Sequence, residues 1–199
     1  SSTPMQRSNS PRLFVDAPLQ VAAEPFELPR ESAHHLSTVL RARTGSLVTL
    51  FNGLGGEFEA RLTEVGRRSV SCEIVAFHAL ERRSPLAVHL VQALARGTRM
   101  DLVMQKATEL GAASIQPLAA ARSNVKLDAE RADDRLAHWT RITISACEQC
   151  GRNDLPEVRP VADLSSLLLE NEQTNTAVWR LFADPEARLR ISDLSRTDV

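Results

Sequence analysis

The stretch SACEQCGRN, Ser145 to Asn153, places two of the chain's three cysteines three residues apart and follows them with Gly-Arg-Asn. A Cys-x-x-Cys pair can clamp a metal or cycle between thiol and disulfide. Four-thiolate zinc needs two such pairs, and the remaining cysteine, Cys72, lies far away in the sequence. His138 sits nine residues upstream on the same expected helix, out of reach of Cys147. Redox pairs work at helix N-termini, where the dipole stabilises the thiolate. This pair falls in the last turn of a helix, where the dipole does the reverse. Cys147 and Cys150 are therefore read as packing residues of a helix end, with no metal site.

The polar remainder carries more chemistry. Glu148, Gln149, Arg152 and Asn153 crowd the point where the helix stops. Capping of the helix end explains them locally: Arg152 over the last carbonyls, Asn153 in the turn. Two further segments have the same character. RGTRMDLVMQKATELG (96–111) carries Arg96, Arg99, Lys106 and Glu109, and ARSNVKLD (121–128) carries Arg122, Ser123 and Lys126. If both follow strands of an open α/β sheet, their loops gather at the strands' carboxyl ends, where such sheets bind ligands.

The elements that must hold these segments divide the chain in two. RLFV (12–15), LVTLFN (47–52), GEFEARLTEV (56–65) and SVSCEIVAF (69–77) have the alternation and turn punctuation of short strands. One helix interrupts them, PRESAHHLSTVLRART, with Ala33, Leu36, Val39 and Leu40 expected on a buried face. Strands at this spacing imply a small barrel. After the charged connection ALERRSPLA the pattern changes. LAVHLVQAL (86–94) reads as a strand buried on both faces. A helix follows from about Arg99 to Leu110, with Leu102, Val103, Lys106, Ala107 and Leu110 at helical spacing and Gly111 closing it. Then come a strand SIQPL (114–118) and a long helix from Asp128 to about Gln149, striped by Ala132, Leu136, Trp139, Thr143, Ala146 and Cys150. PEVRPV (156–161), a helix near Leu164–Glu170 and a strand TAVWRLFA (176–183) come last. Alternating strands and helices give an α/β layer, α+β overall, with domains at 11–80 and 85–199.

Composition narrows the partners. The 199 residues have a formal net charge of −1, unlike a protein that coats nucleic acid indiscriminately. Residues 81–126 nevertheless carry seven basic side chains against three acidic, and residues 127–199 nine against fourteen. Nearly all the cations are arginines, whose planar fork suits phosphate and base contact. No apolar run is long enough to span a membrane, and the first residues lack the apolar core of a signal peptide. The cytoplasm is the expected location.

MDLVMQKATELG, QPLAAARSNVKLD, HWTRITISACEQCGRNDLPEV and PRLFV…HHLSTVLRARTG together resemble the ribosomal RNA small-subunit methyltransferase E family, from about Pro11 to Asp184. That resemblance implies methylation of N3 of a uridine in 16S rRNA, with S-adenosylmethionine as methyl donor and a homodimer as the active form. It also implies a PUA-like β-barrel that binds RNA, followed by a SPOUT-type α/β domain with a trefoil knot. Family members continue with a Gly-rich loop and a second conserved segment that complete the knot. Only LFADPEA, Leu181 to Ala187, has a counterpart here, so the knot is expected to be incomplete in these residues and the residues alone inactive. The alternative is a non-catalytic RNA-binding module.

The implied chemistry sets roles. Uracil N3 keeps its proton at neutral pH, so a base must remove it or donors must stabilise the resulting anion. Glu148 and Arg152 are the catalytic candidates. Arg12, Arg41, Arg43, Arg96, Arg99, Arg122, Lys126 and Asn153 are candidates for RNA contact. Leu181, Ala183 and Pro185 are candidates for the cofactor.

Overall fold

A computed structural model describes residues 10–67, 69–80, 82–119, 129–172, 180–184, 186–188, 190 and 193. The chain divides into two compact units, Ser1–Asp163 and Leu164–Val199. The first holds both sheets.

The N-terminal sheet has five strands: β1 (Arg12–Phe14), β2 (Ala22–Glu27), β3 (Leu47–Phe51), β4 (Glu57–Val65) and β5 (Val70–His78). Their spatial order is β1-β3-β4-β5-β2, with β1 parallel to β3 and every other pairing antiparallel. Along β4, Phe58, Ala60 and Leu62 are buried while Arg61 and Thr63 are exposed, the alternation of a strand with one wet face. Leu13, Val15, Leu36, Val48, Leu50, Leu62 and Val70, each at most 2% exposed, form the core beneath it. Burying one such side chain stabilises the fold by about 1.5–3 kcal/mol, so this core holds the sheet.

Three sequence expectations change here. The barrel does not close among the described residues, because the edge strands β1 and β2 do not pair with each other. β2 was not expected at all: Pro25 lies within it, and proline's missing N–H is tolerated only where no ladder bond is required. β2 is an edge strand whose register shifts between Ala22 and Phe26. The expected helix over 29–44 splits into α1 (Arg30–His34) and a π-helical turn (His35–Val39). In that turn the Leu40 N–H donates to His35 O at 3.0 Å. The wider turn rotates the residues at its end, so Ala33 and Leu36 are buried while Val39 and Leu40 are exposed.

The second sheet is parallel throughout: β6 (His89–Ala93), β7 (Ser114–Ala119), β8 (Glu157–Val158) and β9 (Ala162–Asp163). β7 is central, pairing with all three others. Helices α2 (Arg99–Glu109) and α3 (Ala129–Cys150) pack on the core of Met100, Met104, Ala107, Ala112, Ile115 and Trp139, joined by Leu90 and Val158. The stripe of α2 is Met100, Met104, Ala107 and Thr108, whereas the expected Leu102 and Leu110 face outward. On α3 the buried stripe runs Trp139, Thr143, Ala146 and Cys147, and Cys150 is exposed. β6 is half-exposed, with Val91 at 46%, because among the described residues it is an edge strand and not the doubly buried strand expected.

In the second unit α4 (Leu164–Glu172) is a helix as expected. Of the expected strand over 176–183, residues 180–183 are not in a strand, and 176–179 lie outside the described residues.

Candidate functional site

The turn that closes α3 occupies the centre of unit one's polar chemistry. Gly151 has φ +87°, and its N–H donates to Cys147 O at 3.0 Å. A side chain there would be strained, and its Cβ would lie 3.1 Å from Arg82 Nη1. The backbone then turns inward, and Arg152, Asn153 and Asp154 are all buried.

Arg152 is bound on every side. Its Nη1 donates to Thr108 O (2.9 Å) and Ala112 O (3.0 Å), and its Nη2 to Asp154 Oδ2 (2.7 Å). Thr108 sits in the last turn of α2, whose carbonyls carry the negative end of the dipole, and its oxygen also accepts the Gly111 N–H at 3.1 Å. Arg152 thus caps α2 from the end of α3. Asp154 also pairs with Arg83 Nε at 3.3 Å. Burial would raise its carboxyl pKa, but the Arg152 hydrogen bond and the charges of Arg152 and Arg83 hold it below the ordinary aspartate value.

Asn153 and Arg12 tie the turn to the N-terminal sheet. Arg12 Nη2 donates to Asn153 Oδ1 at 2.7 Å and to Arg152 O at 3.2 Å, and Arg12 Nη1 pairs with Glu57. The guanidinium lies over the Phe51 ring, 5.2 Å from its centre. Asn153 Nδ2 donates to Leu80 O (3.1 Å), in the connection between the sheets, and Arg82 Nη2 reaches Glu57 Oε1 at 3.4 Å. Glu148 Oε1 accepts the Phe14 N–H at 3.0 Å. Burial raises the Glu148 pKa, against the opposing effects of that hydrogen bond, His35 and Arg12.

Thus the structure brings together Arg12, Glu148, Arg152 and Asn153, but in a junction between two sheets and not on an open surface. Glu57, Arg82, Arg83 and Asp154 belong to the same cluster and were not singled out in the sequence. The signal for Asp154 was its place two residues after Arg152, and for Arg82–Arg83 their place in the connection. Cys147 is fully buried, donates to Asp154 O at 3.4 Å, and is pushed up by burial to about 12, as Cys72 is to about 11. Neither is a thiolate at neutral pH. Among the described residues no three His, Cys, Asp or Glu side chains converge as a metal site would require.

The remaining candidates are dispersed. Arg41, Arg43, Arg96 and Arg99 are exposed; Arg99 is the first residue of α2 and Arg96 lies three residues before it. Arg122 and Lys126 lie outside the described residues. In the second unit Leu181 is 58% and Phe182 91% exposed, Ala183 is exposed, and Pro185 lies outside the described residues. Leu181 and Ala183 offer apolar surface but are not enclosed, so the described residues do not by themselves fit a buried nucleoside cofactor, which needs most of its surface covered.

This fold, a mostly antiparallel sheet cemented to a parallel α/β layer, matches known proteins over nearly all its length. The profile of an RNA methyltransferase PUA domain covers residues 28–75, and that of an RNA methyltransferase domain residues 82–198. The class is therefore that of RNA methyltransferases. A solved ribosomal RNA small subunit methyltransferase E from Neisseria gonorrhoeae, bound to S-adenosylmethionine, superposes with a TM-score of 0.86. It is 36% identical, over 94% of this chain and 75% of that one. The enzyme of the same name from Bacillus subtilis is 33% identical over 79% of this chain, and that of Synechocystis 30% over 79%. The chain belongs to the ribosomal RNA small subunit methyltransferase E family. It spans 62% and 52% of the length of those two relatives.

Proposed function

We propose that this chain is part of an enzyme that transfers a methyl group from S-adenosylmethionine to N3 of a uridine in 16S rRNA, in the cytoplasm and as a homodimer with a knotted α/β domain. The observation that carries the reading is the S-adenosylmethionine-bound relative that matches 94% of the chain. In this reading residues 11–80 hold RNA and residues 85–199 belong to the catalytic domain. S-adenosylmethionine, when bound, supplies an electrophilic methyl group, and Leu181, Ala183 and Pro185 form one apolar part of its site.

The described residues do the positioning. Arg41, Arg43, Arg96 and Arg99 are exposed cations suited to phosphates; Arg122 and Lys126, outside the described residues, are assigned the same role. Arg152, Asn153, Arg12 and Glu148 fix the angle between the sheets, so an RNA gripped by one is presented to the other. Such orientation is a large part of catalysis when the donor is intrinsically reactive.

The test is transfer of radiolabelled methyl groups by the protein expressed from its complete reading frame, on small ribosomal subunits that lack the modification. Nuclease digestion and mass spectrometry should give 3-methyluridine. A different methylated base would overturn the N3 assignment, and RNA binding without transfer would leave a binding module as the better description.

A further inference from the structure

The segment Thr38–Arg43 is built at a local cost to expose apolar groups beside cations. An unbroken α-helix through Leu40 would have put Val39 and Leu40 on the face that buries Ala33 and Leu36. Instead the π-helical turn over His35–Val39 rotates them outward, to 61% and 40% exposure. π-Helical turns are rare and concentrate at functional sites. Arg41 follows with φ +50°, the one non-glycine residue at positive φ among the described residues. Its backbone is held by the flanking bonds from Leu40 N–H to His35 O and from Ala42 N–H to Leu36 O (2.9 Å). Strain of this kind persists where the surrounding structure imposes it.

The turn itself carries cations and no carboxylate. From Ser32 to Gly56 the sequence contains no aspartate or glutamate but does contain Arg41 and Arg43; the nearby His35 lies instead toward the Glu148 carboxylate. Both arginines are exposed, and neither has an ion pair among the described residues. A partner for this surface must bring negative charge together with apolar faces. Unpaired RNA does so: its phosphates are anionic and its splayed bases present flat, poorly hydrated faces. A duplex hides those faces and offers phosphates alone.

We propose that the turn Val39–Arg43 is a contact site for unpaired RNA bases, with Val39 and Leu40 against base or ribose faces and Arg41 and Arg43 on the flanking phosphates. This rests on the reading of the chain as RNA-binding and adds which RNA it grips, and with what. Arg41 and Arg43 alone would give a salt-sensitive contact indifferent to strandedness. The two aliphatic side chains make the site selective.

Fluorescence anisotropy on the full protein tests this, using a fluorescein-labelled uridine-rich single strand and the same strand paired in a duplex. Val39→Ser with Leu40→Ser should weaken single-strand binding about tenfold, the loss expected for uncovering part of two aliphatic side chains. Duplex binding should change less than twofold and the salt slope should not change. Arg43→Ala should lower the single-strand salt slope by about 0.7. Thermal unfolding of the double variant should match the parent, since both side chains are exposed. Unchanged single-strand affinity, or equal losses on both RNAs, overturns the site. So does self-association of the parent that the double variant abolishes while keeping its RNA affinity. Arg96→Ala with Arg99→Ala separates the two readings: loss of binding there, with none at Val39 and Leu40, leaves RNA binding standing and removes this site. A parent protein that binds neither RNA removes both.

Discussion

The turn after α3 and the turn after the π-helical segment each set arginines close to a glycine, and the fold uses them in opposite ways. At Gly151–Asp154 the glycine lets the chain double back, and Arg152 is sunk among carbonyls and a carboxylate. At Val39–Gly45 the backbone strain falls on Arg41 itself, and the cations stay in water. Residue type and density are alike; what differs is the supply of buried acceptors. The first turn meets the end of a helix, with carbonyls to satisfy, and the carboxylates Glu57 and Asp154. At the second, neither Arg41 nor Arg43 has a side-chain hydrogen bond or ion pair among the described residues. An arginine-rich motif is therefore as good a sign of a structural joint as of a nucleic-acid surface, and the neighbouring acceptors decide between them.

The sharpest way to break this comparison is Arg152→Ala. It leaves Asp154 buried with only the exposed Arg83 and strips donors from Thr108 O and Ala112 O, so stability should fall by about 3–5 kcal/mol. Urea denaturation measures it, and a loss within the scatter of surface substitutions would place Arg152 with the exposed set. Glu148 gives the next effect. Ala at this position orphans the Phe14 N–H and should cost about 1–3 kcal/mol, whereas Gln keeps an acceptor oxygen. Because burial raises the Glu148 pKa in the fold, its favourable contribution is complete below the ordinary carboxylate range and lost as pH rises through the raised value. Glu148→Gln should therefore match the parent in acid and exceed it at neutral pH. Asp154, held low, has the opposite sign: its contribution is present above the ordinary range and disappears as pH falls, so Asp154→Asn should flatten the acid limb of a stability–pH curve. The smallest effect belongs to the other turn. Arg41→Gly relieves the positive φ and should raise stability by roughly 0.5–1 kcal/mol, less the entropy glycine adds to the unfolded chain.

How far the sequence revealed these turns depends on what local pattern can encode. β3, β4, β5, α2 and α3 were legible within a residue or two, because alternation and helical spacing report directly on one-sided burial. The failures share a cause. Val39 and Leu40 fit the buried stripe until one wider turn shifts the frame, and nothing in HLSTV announces that turn. Leu102 and Leu110 also fit their stripe, but the buried face of α2 is the neighbouring one led by Met100 and Met104, whereas on α3 the expected stripe of Trp139, Thr143 and Ala146 is buried and ends on Cys147, leaving Cys150 exposed. The site was half-legible in the same sense. The cluster Glu148, Arg152 and Asn153 was visible as unusual, whereas its inward direction depended on Arg12 and Glu57, more than ninety positions away in the chain. Local spacing cannot carry a contact of that range.

That range has a consequence in time. Arg12 and Asn153 stand 141 positions apart in the sequence, so as the polypeptide is synthesised the N-terminal sheet is complete long before its partner in the joint exists. Until then Arg12, Glu57 and the Phe14 N–H face solvent at an unfinished edge. Closing the joint is thus a late event of high contact order. Weakening it should leave the rate of folding of the first sheet almost untouched and instead shorten the lifetime of the finished protein.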